Sequence, residues 1–493
     1  MAAGAQPDPV RRASWGLRLA PLGIYVALLA LHAPLLRLPY FWDEAGYFIV
    51  AARDCWRHFW LIPHATLANG HPPLLSLYLS AVWMLTGFHI LATRAAMLVW
   101  AAALVWAVYR LAEARLGRQA WIPALLVALS PLVFAQSSLA QLDLPVAALV
   151  LWALVGRQRG RPAWETGLLA AACLMKETAI IVPAVLLLYD RRRGLRHLVP
   201  IGALGLWFVF YHAHTGYWFG NPQYYAYNVG LALGSLPRVL LDLLRRIWQV
   251  GFYDGTGALT AVALWALWAC RRRQSDDRPG PRWPTSWLLV IAVYIVFHAV
   301  VGGAVLARYL LPALALYIIG VSELLVRLPR AAWWATACAA ILVASWFWNP
   351  PYPFPYEDNL AYVHFIRLHQ AAARELEAHP PAGAIWTAWP ATDELTRPAL
   401  GYVGHRLPIH ALQNFSAASL DQVTEAPPVL YLYSRIYQPR MDLAKDSSLW
   451  ARWSLHYFGY SGPAPPVAWL RRLHLHPLYR RASHGQWVLL AAP

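Results

Sequence analysis

Two adjacent carboxylates, Asp43 and Glu44, stand among aromatic residues directly after the first long apolar segment of the chain. An ionised carboxylate is costly in apolar surroundings, so such a pair invites a functional explanation, and general base catalysis is one. The structural alternative is a solvated loop start, at which Asp43 caps the next helix. The stretch from Phe41 to Tyr47 leaves both interpretations open by itself.

Other ionisable side chains also border apolar runs. Each has an ordinary explanation when taken singly: His71 could begin a helix, Asp143 could cap one, and Arg308 could reach the membrane interface. Lys176 is harder to explain, because an intramembrane lysine usually has a partner or a function, and Glu177 could be that partner. The weight of these residues therefore depends on whether the fold brings them together.

The composition is that of a polytopic membrane protein. The chain has 493 residues, of which 59% are hydrophobic and only 13% are charged, which excludes a soluble enzyme of this length. The formal net charge of +17 could indicate nucleic-acid binding. However, the arginines lie in short clusters between apolar runs, as the positive-inside rule predicts for cytoplasmic loops, so no nucleic-acid partner is expected.

Apolar runs and arginine clusters together predict the topology, since about 20 apolar residues can span a bilayer as a helix. Residues 1–348 are predicted to form an all-α membrane domain of about eleven transmembrane helices with a cytoplasmic N-terminus. The principal predicted helices are 19–36, 95–111, 121–139, 144–156, 198–214, 258–270, 286–303 and 332–348. Residues 37–94 form the first extracytoplasmic loop, with a juxtamembrane helix at 74–87.

Three further segments complete this prediction. The segment 162–190 has basic clusters on both sides, so it must turn back on itself, and 176–178 is its only polar turning point. Arg238, Arg245 and Arg246 lie on the predicted outer side and breach the positive-inside rule, and an amphipathic interfacial helix at 236–250 would account for them. Residues 349–493 are expected outside the membrane as a small α/β domain, with its secondary structure indicated by a helical pattern at 358–377 and strands at 384–387 and 486–490.

This topology gathers polar residues from five separated segments at the outer face, and their coincidence favours a functional site. The segments are Trp42-Asp43-Glu44-Ala45-Gly46-Tyr47, His71-Pro72-Pro73-Leu74, Gln141-Leu142-Asp143, Leu174-Met175-Lys176-Glu177-Thr178 and Arg308-Tyr309-Leu310-Leu311-Pro312. In this order they resemble the motifs of the GT-C glycosyltransferases that use polyprenyl-phosphate-linked sugars. The nearest branches are the aminoarabinose transferases, the protein O-mannosyltransferases and the RgtA/B/C/D-like transferases.

The resemblance implies roles for particular residues. Asp43 matches the catalytic base, Asp143 the aspartate that supports it, and Glu44 is a further catalytic candidate. Lys176 and Arg308 match basic groups that hold the lipid phosphate. The remaining candidates are His71 at the phosphate and Glu177, Tyr309 and Tyr47 in support. In the aminoarabinose branch a lysine stands in the place of His71, and this departure argues against an aminoarabinose donor.

The chemistry of such a donor agrees with these residue types. Cleavage of the glycosidic bond builds negative charge on the phosphate, which fixed cations stabilise, while a carboxylate on the opposite side deprotonates the acceptor. One base and an in-line leaving group imply inversion at the anomeric carbon. No Asp-x-Asp pair is present, so no metal or other cofactor is expected. A divalent ion bound by Asp43, Glu44 and Asp143, as in the oligosaccharyltransferase branch, is the alternative.

The two cations provide a second argument. Lys176 and Arg308 would repel each other at low dielectric unless an anion lay between them, and a prenyl phosphate is an anion that reaches this depth. In the alternative, Lys176 pairs with Glu177 or Asp143, while Arg308 faces lipid head groups.

The resulting interpretation is a transferase of the bacterial inner membrane that glycosylates an extracytoplasmic lipid, glycan or protein. A transporter or flippase would require matching inverted repeats, and only one broken hairpin is apparent. A non-catalytic scaffold would not require the five polar segments.

Overall fold

The computed structural model describes residues 9–190, 194–225, 235–272, 283–301, 305–352, 354–435, 437 and 463–493. In the first two thirds of the chain, the described residues are mainly helical. The main helices are Pro9–His32, Ile49–His58, Leu74–Thr86, Ile90–Leu116, Trp121–Leu129, Pro131–Ser137, Asp143–Gln158, Pro162–Met175, Ile181–Tyr189, Leu198–Thr215, Leu236–Gly251, Thr256–Arg272, Thr285–Val300, Leu311–Leu325 and Ala331–Ser345.

The apolar helices confirm the membrane class of the chain. Among the described residues, three helical stretches are long and apolar enough to cross a bilayer: Ile90–Leu129, Gly194–Thr215 and Ala307–Leu325. Five shorter apolar helices accompany them, each of 10–17 residues. The number of eleven membrane crossings stays a prediction, because length and composition do not establish it.

Two helices differ from their predicted bounds in ways that affect the site. The predicted helix 95–111 begins earlier, at Ile90, so Arg94 lies within a helix instead of the outer loop. The predicted helix 121–139 is interrupted between Leu129 and Pro131. Proline has no backbone N–H and is favoured in the first turn of a helix, so Pro131 begins a new helix instead of continuing the old one. The first helix also ends earlier than predicted, at His32.

The predicted break at 176–178 is present. The helix Pro162–Met175 ends at Lys176, whose backbone is extended with φ −153° and ψ 132°. A short 3₁₀ turn, Glu177–Ile180, then leads into the helix Ile181–Tyr189. Lys176 is therefore the residue at which the helix ends and the 3₁₀ turn begins. The basic cluster 191–193 that motivated this prediction lies outside the described residues.

The predicted amphipathic helix is Leu236–Gly251, and its orientation differs from that of an ordinary interfacial helix. Two of its three arginines are buried: Arg238 is 4% exposed and Arg246 is 0% exposed, whereas Arg245 is partly exposed. Its apolar side chains face outwards, and Leu236, Leu240, Leu244, Ile247 and Trp248 are all exposed. Arg238 and Arg246 therefore belong to the protein interior.

The C-terminal part contains the predicted α/β arrangement. The helix Ala361–Ala378 packs on a sheet of five strands, β1 (Ile385–Ala388), β2 (Ile409–Leu412), β3 (Val429–Tyr433), β4 (His476–Ser483) and β5 (Gln486–Ala492). The order of the strands in the sheet is β2-β1-β3-β5-β4. Strands β2, β1 and β3 are parallel, whereas β5 is antiparallel to β3 and β4. All five residues of β3 are buried.

This C-terminal part packs directly on the first loop. The backbone N–H of Tyr40 donates to the carbonyl of Leu400 at 3.1 Å, and the Tyr402 hydroxyl donates to the carbonyl of Tyr40 at 3.1 Å. Trp389 lies against Gly46, where a Cβ atom would be 2.6 Å from the indole nitrogen. Glycine at this position therefore allows the loop that carries Asp43 to contact the sheet domain.

Candidate active site

Arg308 is the centre of a buried charge cluster. It lies on the 3₁₀ turn Ala307–Leu310 and is 4% exposed. Its Nη2 is 2.6 Å from Asp43 Oδ2, and its Nη1 is 2.7 Å from Glu357 Oε1. Its Nε is 3.1 Å from Asp143 Oδ2, and Nη1 also donates to the side-chain oxygen of Gln141. Three other parts of the chain thus meet on the Arg308 guanidinium.

Lys176 extends this cluster. Its Nζ donates to Asp143 Oδ1 at 2.6 Å and lies 4.0 Å from the centre of the Tyr309 ring. The guanidinium carbon of Arg308 is 5.7 Å from the same ring. Asp143 therefore bridges the two cations, and Tyr309 lies beside both, so the structure brings together Asp43, Asp143, Lys176, Arg308 and Tyr309.

The cluster corrects one premise of the sequence argument. Lys176 and Arg308 are not short of negative charge, because three carboxylates, of Asp43, Asp143 and Glu357, surround them. With every group ionised, three negative charges face two positive ones. Lys176 pairs with Asp143, as the structural alternative in the sequence analysis predicts. Arg308 differs from that alternative, because it faces carboxylates instead of lipid head groups.

Asp43 is the most accessible member of the cluster. Its side chain is 20% exposed, against 8% or less for the side chains of Asp143, Lys176, Arg308 and Glu357. It follows Trp42, whose φ of 48° lies in the left-handed region, and it precedes the short π-helix Glu44–Phe48. Asp43 makes no side-chain capping bond to this helix, so the capping interpretation does not describe its contacts.

Glu44 points away from Asp43 and into a separate buried pair. Its Oε1 is 2.6 Å from Arg94 Nη1, and both side chains are almost completely buried. The same carboxylate accepts from the backbone N–H groups of Phe41 at 2.8 Å and Ala140 at 2.5 Å. These contacts fix the shape of the loop, and the structure does not bring Glu44 into the Arg308 cluster.

The remaining predicted residues lie around this cluster. His71 Nδ1 is 2.7 Å from Glu177 Oε2, and Glu177 directly follows Lys176 in the sequence. Tyr47 is partly exposed, and its ring centre is 5.9 Å from that of Trp389 on the sheet domain. In the part of the chain that the structure describes, no group of three or more His, Cys, Asp or Glu side chains is arranged to hold a metal ion.

Sequence reasoning missed two residues at this site. Glu357 belongs to Tyr356-Glu357-Asp358, an aromatic residue followed by two carboxylates, which is the pattern already noted around Asp43. Arg246 donates to the backbone carbonyl of Leu306 at 2.7 Å, directly before the turn that carries Arg308, and its guanidinium is 5.9 Å from the Tyr309 ring. No carboxylate among the described residues lies within ion-pair distance of Arg246.

Comparison with known proteins bears on the class of this site. The profile of glycosyltransferase family 87 matches residues 71–282, less than half of the chain. The stretch includes His71, Asp143 and Lys176 and leaves out Asp43 and Arg308. No curated protein sequence matches the chain.

The fold resembles that of a protein of known structure, ArnT. The crystal structure of ArnT from Cupriavidus metallidurans bound to undecaprenyl phosphate is similar with a TM-score of 0.53 and 14% identity, over 96% of this chain and 98% of that chain. The apo structure of the same protein gives a TM-score of 0.43 and 14% identity, over 97% and 98% of the two chains. Together with the family match, the likeness in fold confirms the predicted class, a membrane glycosyltransferase of the GT-C type.

Proposed function

We propose that the protein transfers one sugar from a polyprenyl-phosphate donor to an extracytoplasmic acceptor, with inversion at the anomeric carbon. The observation that carries this proposal is the position of Asp43, a partly exposed carboxylate within 2.6 Å of a buried arginine that also borders Asp143 and its partner Lys176. A base and two cations in contact are the groups that such a transfer requires. The similar ArnT protein was crystallised with undecaprenyl phosphate bound, which supports this class of donor.

Each group has a defined task in this reaction. As the bond between the anomeric carbon and the phosphate oxygen breaks, its electron pair stays with the phosphate, which changes from a singly charged diester to a doubly charged monoester. Lys176 and Arg308 stabilise the added charge. The acceptor hydroxyl forms the new bond to the anomeric carbon and gives its proton to Asp43.

Other residues prepare this arrangement. Asp143 orients both cations, since its two carboxylate oxygens face Lys176 and Arg308 separately. Glu44 acts through the loop shape that its pair with Arg94 maintains. Glu177 directly follows Lys176 in the sequence, and its pairing with His71 links the His71 segment to the break that carries Lys176.

The same proposal includes the orientation and the domain division. We place residues 1–348 in the membrane, with the N-terminus in the cytoplasm of a bacterial cell. Residues 349–493 lie on the extracytoplasmic side, where the acceptor is a lipid, a glycan or a protein. The arginine clusters support this orientation.

Binding of undecaprenyl phosphate to the purified protein tests the proposed function. We expect saturable binding that Lys176→Ala and Arg308→Ala both weaken. Glu323→Gln is a matched control, because Glu323 is a buried carboxylate paired with Arg115 outside this cluster. Affinity that both cation variants leave unchanged would remove these residues from the donor site.

A further inference from the structure

The two edges of the Arg308 guanidinium have different surroundings. Its Nη1 is held by Glu357 Oε1 at 2.7 Å and by the side-chain oxygen of Gln141, and these two residues are 5% and 1% exposed. Its Nη2 contacts Asp43, whose side chain is 20% exposed. One edge is therefore fixed in the interior, and the other faces the accessible side of the cluster.

Glu357 is itself held firmly by both parts of the protein. It lies on the 3₁₀ turn Tyr356–Asp358, and its backbone carbonyl accepts from Gln136 Nε2 at 3.2 Å. The neighbouring Asp358 accepts from the Tyr253 hydroxyl at 2.7 Å. The Tyr356 hydroxyl is 3.1 Å from Ser434 Oγ, directly after strand β3. The turn thus joins the helices to the sheet domain and fixes the position of the Glu357 carboxyl group.

We propose that Glu357 is a positioning residue for the donor: it holds the Nη1 edge of Arg308, so that the opposite edge can exchange Asp43 for the phosphate of a polyprenyl-phosphate lipid. The exchange would also free Asp43 to accept the proton of the acceptor hydroxyl. This inference rests on the proposed function and adds to it a residue supplied by the segment that leads into the sheet domain.

The charges around Glu357 determine whether its protonated or its ionised form is better suited to holding Arg308 beside a bound phosphate. The groups that face it are Arg308, Asp43 and Asp143 from the membrane part and Asp358 from its own turn. Burial, together with these three aspartates, raises the pKa of Glu357 even though Arg308 opposes the shift. A protonated Glu357 still accepts from Nη1 through its carbonyl oxygen, but it adds no negative charge beside an arriving phosphate.

The affinity for undecaprenyl phosphate, measured on the full-length protein over a range of pH, tests this proposal. We expect the affinity of the wild type to fall as the pH rises through the pKa of Glu357. Glu357→Gln keeps a neutral oxygen acceptor, so its affinity should stay at the low-pH value of the wild type and lose this pH dependence. Glu357→Ala removes the acceptor and should weaken binding about tenfold or more at every pH, as expected for the loss of a charge-assisted hydrogen bond.

The controls separate this inference from the function on which it rests. Glu323→Gln should retain the wild-type affinity and pH profile, and a thermal melt of each variant reports folding. If the wild type binds and both Glu357 variants keep its affinity and pH profile, the positioning role is wrong and the proposed function stands. If the wild type does not bind at any pH, both proposals fail. If a Glu357 variant does not fold, the pH profile of the wild type alone still tests the inference. An affinity of the wild type that does not change with pH would overturn it.

Discussion

Asp43→Asn should abolish most of the transfer without destabilising the protein. At a pH above the raised pKa of Glu357, where all three carboxylates are ionised, the change removes one of three negative charges around Lys176 and Arg308, so two carboxylates then face two cations. Under these conditions the buried cluster becomes electrically balanced, and the unliganded protein should melt at the same temperature as the wild type or higher. Arg308 also loses a competitor of the phosphate, so the affinity for undecaprenyl phosphate should hold or increase.

The expected loss of activity follows from the role of the carboxylate. General base catalysis typically contributes about 10²–10⁴-fold to the rate, which corresponds to about 3 to 5 kcal/mol of the activation barrier. The assay compares product formation in cells that lack the gene and carry either the wild type or the variant, with binding and melting measured on the purified proteins. Product at close to the wild-type level would refute the reasoning and move the base to Asp143 or Glu44.

The neighbouring carboxylate is the matched comparison. Glu44→Gln leaves Arg94 buried without a charged partner, and removing one member of a buried ion pair typically costs about 3–5 kcal/mol. This variant should therefore lose stability, measured as a lower melting temperature, whereas Asp43→Asn should lose activity. If the two variants exchange these effects, the assignment of Asp43 and Glu44 is reversed.

The other predictions concern charge, pH, topology and metal. Arg308→Ala should lower the melting temperature at neutral pH and recover on acidification, because its carboxylate partners then protonate; a fixed deficit at all pH values would contradict this. Burial raises the pKa of Asp358 to about 6 in the folded protein, against about 3.9 for an aspartate in the unfolded chain. The folded state therefore binds this proton more tightly, and the wild type should lose roughly 3 kcal/mol of stability as the pH rises from about 3.9 through about 6. Unfolding at several pH values should show a smaller loss over this range in Asp358→Asn than in the wild type, because only the contribution of Glu357, whose pKa is also raised, remains. A reporter fused at Pro493 should be active only outside the cytoplasm, and one active only inside would reverse the orientation. Transfer should survive EDTA, and loss that Mg²⁺ or Mn²⁺ restores would show that a metal is required.

Much of the cluster could be predicted from the sequence, because the charge pattern and the motif order do not depend on details of packing. Asp43, Asp143, Lys176 and Arg308 come from four distant segments, and their common location followed from the side of the membrane assigned to each. The break at Lys176 was also readable, since a polar pair interrupts an otherwise apolar hairpin.

The contacts of Glu44, Glu357 and Arg246 could not be predicted, because they depend on the three-dimensional packing of segments that are distant in the sequence. The pairing of Glu44 with Arg94 requires a helix that begins at Ile90, one turn before the predicted start. Glu357 enters the site only because the turn that follows the helix Ala331–Ser345 folds back on Arg308. Arg246 was attributed to the membrane interface, since an amphipathic pattern does not tell which face is turned towards the protein.

Mass spectrometry of envelope lipids and glycans tests the central claim most directly. Cells with the wild-type gene, cells without it and cells with Asp43→Asn should be compared. The account predicts one envelope species that is heavier by a single glycosyl unit and is present only with the wild type. Identical envelopes in all three strains, or full restoration of the species by Asp43→Asn, would contradict it.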